Sequence, residues 1–367
     1  MGFVIVVASP RVDLTACFIL CILLCYNITF SEMMKFTIPL MLSALLTFPL
    51  VSTADTRYPI TIENCGIKET FTHAPSRVVT IGQHETELML ALGLADKIAG
   101  TTVWFGALPD DVSAQGARLK RLAENAPGFE AVVAQRPELV LAQYSWHVGP
   151  QGEVATRQQF EQLGIKTWIS PADCTNKAVT ATSNGDGARS APYSIDIILE
   201  EITALARIFD VPARGEALKQ KVSGRIAAAQ QHAQAPLKVV YWFSSSRLKG
   251  DPWVAGNKGA PGWISKTLGL TNIIDSGEEW PAVTWEHIVK SQPDIIVIAS
   301  MDRRLHPADD VVTKKRFLET DPVTREMAAV RQGNIVVVPA MSLDPSLRNV
   351  EAVELIGQHM KEMTQAR

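Results

Sequence analysis

Apolar positions in this chain gather into short runs of β-formers that alternate with stretches of helical spacing. Residues 77–81, 98–103, 138–142 and 165–170 read as strands, and 86–92, 129–135 and 158–163 as helices, with Gly93 and Gly164 placed to stop two of them. After a polar stretch at 175–190, read as an exposed loop, the same alternation resumes. Strands are predicted at 238–243, 295–299 and 335–338, and helices at 263–268, 286–291, 313–318, 324–330 and 350–363. Strand alternating with helix predicts an α/β protein with mostly parallel sheets covered on both faces.

The pattern is also repeated. Residues 129–143 read FEAVVAQRPELVLAQ and residues 285–299 read WEHIVKSQPDIIVIA, and the helix end LALGL at 90–94 has a counterpart in KTLGL at 266–270. Two copies are too few to stack as a solenoid, so the duplication predicts two similar lobes. Between them, Ile195, Ile198, Leu199, Ile202, Leu205, Ala206 and Phe209 recur at helical spacing, with Ser194 available as N-cap and Pro212 just beyond the end. A helix of about 16 residues would span roughly 24 Å, enough to bridge two small lobes. The expected organisation is a leader or mis-extended start at 1–32, a signal peptide at 33–54, an N-terminal lobe at 59–190, a bridging helix at 191–211 and a C-terminal lobe at 212–367.

The signal reading rests on Lys35, an apolar run at 36–51 and Ser52-Thr53-Ala54 as cleavage site. Removal of that segment leaves Cys65 and Cys174 as a pair, and in an oxidising compartment a pair reads as a disulfide, the alternative being two separate buried thiols. A formal net charge of -3 gives no basic stripe for nucleic acid. The glycine-rich stretch 250–262 has neither dinucleotide nor P-loop spacing, and no catalytic motif stands out, which weighs against an exported α/β enzyme.

The runs APSRVVTIGQHETELMLALGLADKIAGTT, FEAVVAQRPELVLA, GIKTWISPADC and WEHIVKSQPDIIVIAS together resemble the periplasmic substrate-binding proteins of ABC importers for iron-siderophores, haem and cobalamin. The resemblance runs from about Ile60 to the C-terminus. It implies two α/β lobes joined by one long helix, a ligand cleft between them and little hinge motion. It further implies a monomer that captures a small-molecule metal chelate in the periplasm and delivers it to an inner-membrane permease, with no cofactor or resident metal of its own. One glutamate on each lobe, Glu130 and Glu286, matches the positions that dock onto permease arginines in that family. A glutamate in the first turn of a helix is also favoured simply by the helix dipole.

Open α/β sheets present their crevice at the carboxyl ends of the strands. Loops there are expected to carry His84, Glu85, Trp104, Phe105, Tyr144, Trp146 and His147 in the first lobe, and Trp242, Arg247, Trp253, Trp280 and Arg303 in the second. So many aromatic rings suit a broad, flat or aromatic ligand, although any one tryptophan is more often core. Arg247, Arg303, Arg304 and Arg348 would neutralise an anionic ferric chelate. His84, Glu85 and His147 offer metal or axial ligands, but their spacing makes no metal motif.

Overall fold

The computed structural model describes residues 55–181, 183–230 and 236–365; the expected leader and signal segments lie outside them. The described chain opens on a hairpin of β1 (Ile60–Asn64) and β2 (Ile67–Phe71). Four parallel strands follow: β3 (Val78–Ile81), β4 (Ile98–Thr102), β5 (Leu139–Ala142) and β6 (Lys166–Ile169), in the order β4-β3-β5-β6. Short strands β7 (Lys177–Ala178) and β8 (Ala188–Arg189) pair antiparallel. The second sheet holds β9 (Lys238–Ser244), β10 (Trp253–Val254), β11 (Thr271–Asn272), β12 (Ile295–Ser300) and β13 (Ile335–Pro339). Its order is β10-β9-β12-β13, with β11 also on β9; β11, β12 and β13 run parallel and β10 antiparallel.

Strands β3, β5 and β12 are buried along almost their whole length, as parallel strands covered on both faces must be. In each sheet the chain reverses its order of strand addition at the middle, beside β3 and beside β9, so the crevice opens at those carboxyl ends. Gly82 makes the exit from β3 possible. Its φ is 138°, and a Cβ there would stand 2.3 Å from the Cβ of Gln143 on the neighbouring strand exit.

The duplication is conformational as well as textual. The two copies give the helix Phe129–Val133 leading to β5 and the helix Trp285–Ser291 leading to β12. Arg136 and Gln292, at equivalent positions just before a proline, both take left-handed backbone, with φ of 50° and 47°. A following proline disfavours the right-handed helical region, which helps both helices end there. Gly93 and Gly269, at the two LGL motifs, match likewise, with φ of 71° and 69°.

One expectation needs correction and one needs an addition. The helix Asp196–Ile208 exists, but it packs mainly on the first lobe: Ile198, Ile202, Leu205, Ala206 and Ile208 bury into one core with Leu88, Met89, Leu139, Leu141 and Trp168, which Ala260 and Val350 of the second lobe join. The strut is the next helix, Pro212–Gln230, which lies within the range expected for the second lobe. Its 19 residues span about 28 Å. At one end Arg214 donates to the carbonyls of Leu92 and Gly93; further along, Arg225 pairs with Glu354 and Ala229 joins Leu268, Ile356 and Met360 of the second lobe in one core cluster. Only Gly215, Val222 and Ala229 of this helix are buried, a seam of one small residue every two turns, and a Cβ on Gly215 would sit 2.5 Å from that of Ala206. The stretch 175–190 is a loop with many exposed positions, as expected, but it is not free of the body of the protein. That stretch is strapped to the second lobe, with Arg189 N donating to Gly277 O (2.7 Å), Glu279 N to Gly187 O (3.1 Å), and a buried Arg189–Glu279 ion pair.

Candidate functional site

A cavity of about 460 Å³ opens between the carboxyl ends of the two sheets, and both lobes line it. Tyr144, Trp146 and His147 follow β5; Ser170 and Asp173 follow β6; Lys177 and Asp186 come from the strapped loop. Phe243 and Ser244 end β9, Trp253 is in β10, and Trp280, Arg303, His306, Asp309 and Asp344 complete the second-lobe wall.

Aromatic rings form its apolar surfaces. Tyr144 and Trp146 stack with centroids 4.2 Å apart and planes within 7°. Phe243 leans on Trp280 at 4.6 Å, Trp253 meets His306 edge-on at 4.9 Å, and the Arg303 guanidinium lies 4.2 Å above Phe105. The Tyr144 hydroxyl crosses from one lobe to the other and donates to Asp344 Oδ2 at 2.9 Å.

The electrostatics depart from the sequence expectation. Six carboxylates line the cavity, Glu153, Asp173, Asp186, Glu279, Asp309 and Asp344, against the cations Lys177 and Arg303. Several are already held: Asp173 by Lys177 and by Ser145 N–H at 2.6 Å, Glu279 by Arg189, and Asp309 by Ser244 and the N–H groups of Leu305 and His306. Burial opposes the charge of Lys177, but Asp173 and Glu279 more than offset it and raise its pKa. Asp344 is different. Burial pushes it up to about 7, only partly countered by the Tyr144 hydrogen bond, and burial likewise raises Asp186. Burial also pushes His147 down to about 4, so its imidazole is neutral at pH 7.

Of the twelve residues expected at the ligand, Phe105, Tyr144, Trp146, His147, Trp253, Trp280 and Arg303 line the cavity. The other five do not. Trp242 is core, packed against Trp285 and Phe317. Trp104 is buried under Arg121, whose guanidinium lies 4.0 Å from its ring, and Arg247 is exposed outside the lining. His84 and Glu85 point into the first-lobe interior, because the helix Gln83–Ala91 starts directly at the β3 exit and turns both side chains toward the helix Asp196–Ile208. There His84 Nε2 lies 3.1 Å from Glu201 Oε2, and burial with Glu201 alongside pushes the Glu85 pKa well up. Nor does the cleft use the other arginines: Arg304 lies outside the lining, and Arg348 pairs with Glu87 and Glu351. Glu130 and Glu286 are exposed, each in the first turn of its repeat helix. Cys65 and Cys174 form the disulfide, with Cα atoms 5.7 Å apart.

The chain belongs to the periplasmic binding protein family, whose profile matches residues 78–341. Among curated relatives, a vitamin B12-binding protein of Photorhabdus laumondii is 24% identical over 231 residues, 62% of this chain and 71% of its own. Among solved structures, an ABC-type Fe3+-hydroxamate transport system protein of Saccharomonospora viridis superposes with a TM-score of 0.65 at 24% identity, covering 83% of this chain and 99% of that one. The periplasmic vitamin B12 binding protein of Vibrio cholerae gives 0.56 at 21% identity, covering 80% and 99%. These likenesses agree with the two-sheet architecture.

Proposed function

We propose that this protein is the capture component of an ABC importer, binding a metal chelate of the ferric-siderophore type, or a corrin or haem in the same role, and handing it to an inner-membrane permease. The observation that carries the reading is the aromatic-walled cavity built jointly by both lobes at their strand carboxyl ends. Its charge narrows the cargo. With Asp344 holding a proton up to about pH 7 and Glu279 paired to Arg189, the carboxylates Glu153, Asp173, Asp186 and Asp309 still outnumber Lys177 and Arg303, which opposes a multiply anionic complex such as a ferric tris-catecholate and suits a neutral or cationic one such as a ferric hydroxamate. Glu130 and Glu286, exposed at matching places in the two repeats, are the docking contacts in this reading. It also holds that the chain is exported through the segment 33–54, works as a periplasmic monomer, and returns its cargo chemically unchanged.

Trp146, Trp253 and Trp280 supply the assay. The protein is titrated with a ferric trihydroxamate, haemin and cyanocobalamin while its tryptophan emission is followed. A saturable one-to-one quench by one of them, with the cargo recovered intact, supports the reading. Failure of all three, or recovery of an altered compound, overturns it.

A further inference from the structure

The His84, Glu85 and Glu201 cluster lies behind the cleft wall, and cargo capture makes no use of it. All three side chains are fully buried, and one ligand atom from each lies within 4.8 Å of the others. Glu201 is fixed: Trp168 Nε1 donates to its Oε1 at 2.8 Å and Ser170 Oγ to its Oε2 at 2.9 Å. The His84 main-chain N–H donates to Gln143 Oε1 at 3.1 Å. In contrast, neither oxygen of Glu85 nor Nδ1 of His84 has a hydrogen-bond partner. Two carboxyl groups sealed from water side by side, with no other donor reaching Glu85, are an arrangement that needs either a shared proton or a cation between them.

We propose that His84, Glu85 and Glu201 bind a divalent transition cation, Zn2+ by preference, between the helix starting at Gln83 and the helix Asp196–Ile208. Imidazole nitrogen with two carboxylate oxygens is a borderline donor set, which suits zinc better than calcium or magnesium. The ligand atoms lie close enough for one ion to reach all three once the side chains draw in toward it. Trp168 and Ser170 would serve as the outer shell that orients Glu201. The site is closed, so the metal enters as the chain folds, and its role is to fasten the second helix to the first lobe. Ser170 and Gln143 also line the cleft, which ties the cation to the wall that faces the cargo.

The test uses the exported chain without a histidine tag and with its disulfide intact. It is refolded in zinc or in EDTA, dialysed, and assayed for bound metal and thermal midpoint. Retention of about one zinc per chain, a higher midpoint in zinc, and at least a tenfold loss of retained metal in Glu85→Gln and in Glu201→Gln are expected. Should those variants not fold, cobalt-refolded native protein still reports: visible d–d bands of a four-coordinate N/O site, with one of the two carboxylates bidentate, are expected. Absence of retained zinc and of cobalt bands overturns the proposal. So does a Glu85→Gln variant that retains as much zinc as the native protein, which would put the metal on the cleft histidines. A Glu85→Gln variant more stable than the native chain in zinc also overturns it, showing two acids that share a proton.

Discussion

Asp344 gives the sharpest physical test of the cleft. Its pKa is pushed from 3.8 to about 7 by burial. Between those values the folded protein holds a proton on Asp344 that the unfolded chain has released. Stability therefore falls as pH rises through the window, by about 1.4 kcal/mol per unit, and the loss is complete above pH 7. The full effect is on the order of 4 kcal/mol, of which about 3 kcal/mol develops between pH 4.5 and 7.5. Asp344→Asn removes the titration while its amide oxygen still accepts from the Tyr144 hydroxyl. Relative to the native protein, the variant should gain about 3 kcal/mol across that interval, read from urea unfolding at several pH values. The comparison must be a difference, because other buried groups titrate as well. Glu87, pushed up to about 7, adds a parallel slope, and Lys314, pushed down to about 7, makes stability rise with pH above that point. Both cancel between the two proteins. A difference that stays flat within about 0.5 kcal/mol from pH 4.5 to 7.5 would refute a buried, proton-holding Asp344.

Trp146→Ala removes one half of the Tyr144 stack and should weaken cargo binding by about 1 kcal/mol, roughly fivefold, in the fluorescence titration, with little change in unfolding midpoint. Replacing Cys65 and Cys174 together by Ala opens a loop with a sequence separation of 109 and should cost up to about 5 kcal/mol in urea unfolding; an unchanged midpoint would show the bridge to be idle. Glu130→Arg with Glu286→Arg should abolish uptake of the cargo by cells while leaving its affinity intact, and undiminished uptake would discard the docking role.

The architecture was legible because its signals are local. Each repeat carries its aromatic residue, proline and β-run in one contiguous stretch, and Gly93 and Gly269 mark helix ends by themselves. Pro212 shows the limit of such reading. Taken as a stop after one helix, it is the first residue of the next, a place where proline costs nothing because that N–H has no helical partner. The helix it opens is polar, with a seam only one small residue wide, so no apolar stripe advertised it. The cleft charge was less legible still. Asp173, Asp186, Glu279 and Asp344 lie on separate segments, each ordinary in its own loop, and only the fold brings them to one wall. Trp242 could have been sorted by alternation: Tyr241 and Trp242 point to opposite faces of β9, and Trp242 falls on the face that meets Trp285 and Phe317. Nothing local distinguished Trp104, whose cover, Arg121, comes from a later segment.

The lobes are stitched together at many points besides the strut: Asp302 N–H to Phe105 O at 2.7 Å, Arg348 to Ala107 O at 3.0 Å, Tyr193 to Asn349 at 2.8 Å, and the Tyr144–Asp344 bond. A vessel sewn shut along its seam gains little by gaping when empty, so in the proposed role loading would sacrifice little freedom. In that capture role, emptying it would require the receiver to grip both halves and prise them apart, and the energy for discharge would come from that receiver.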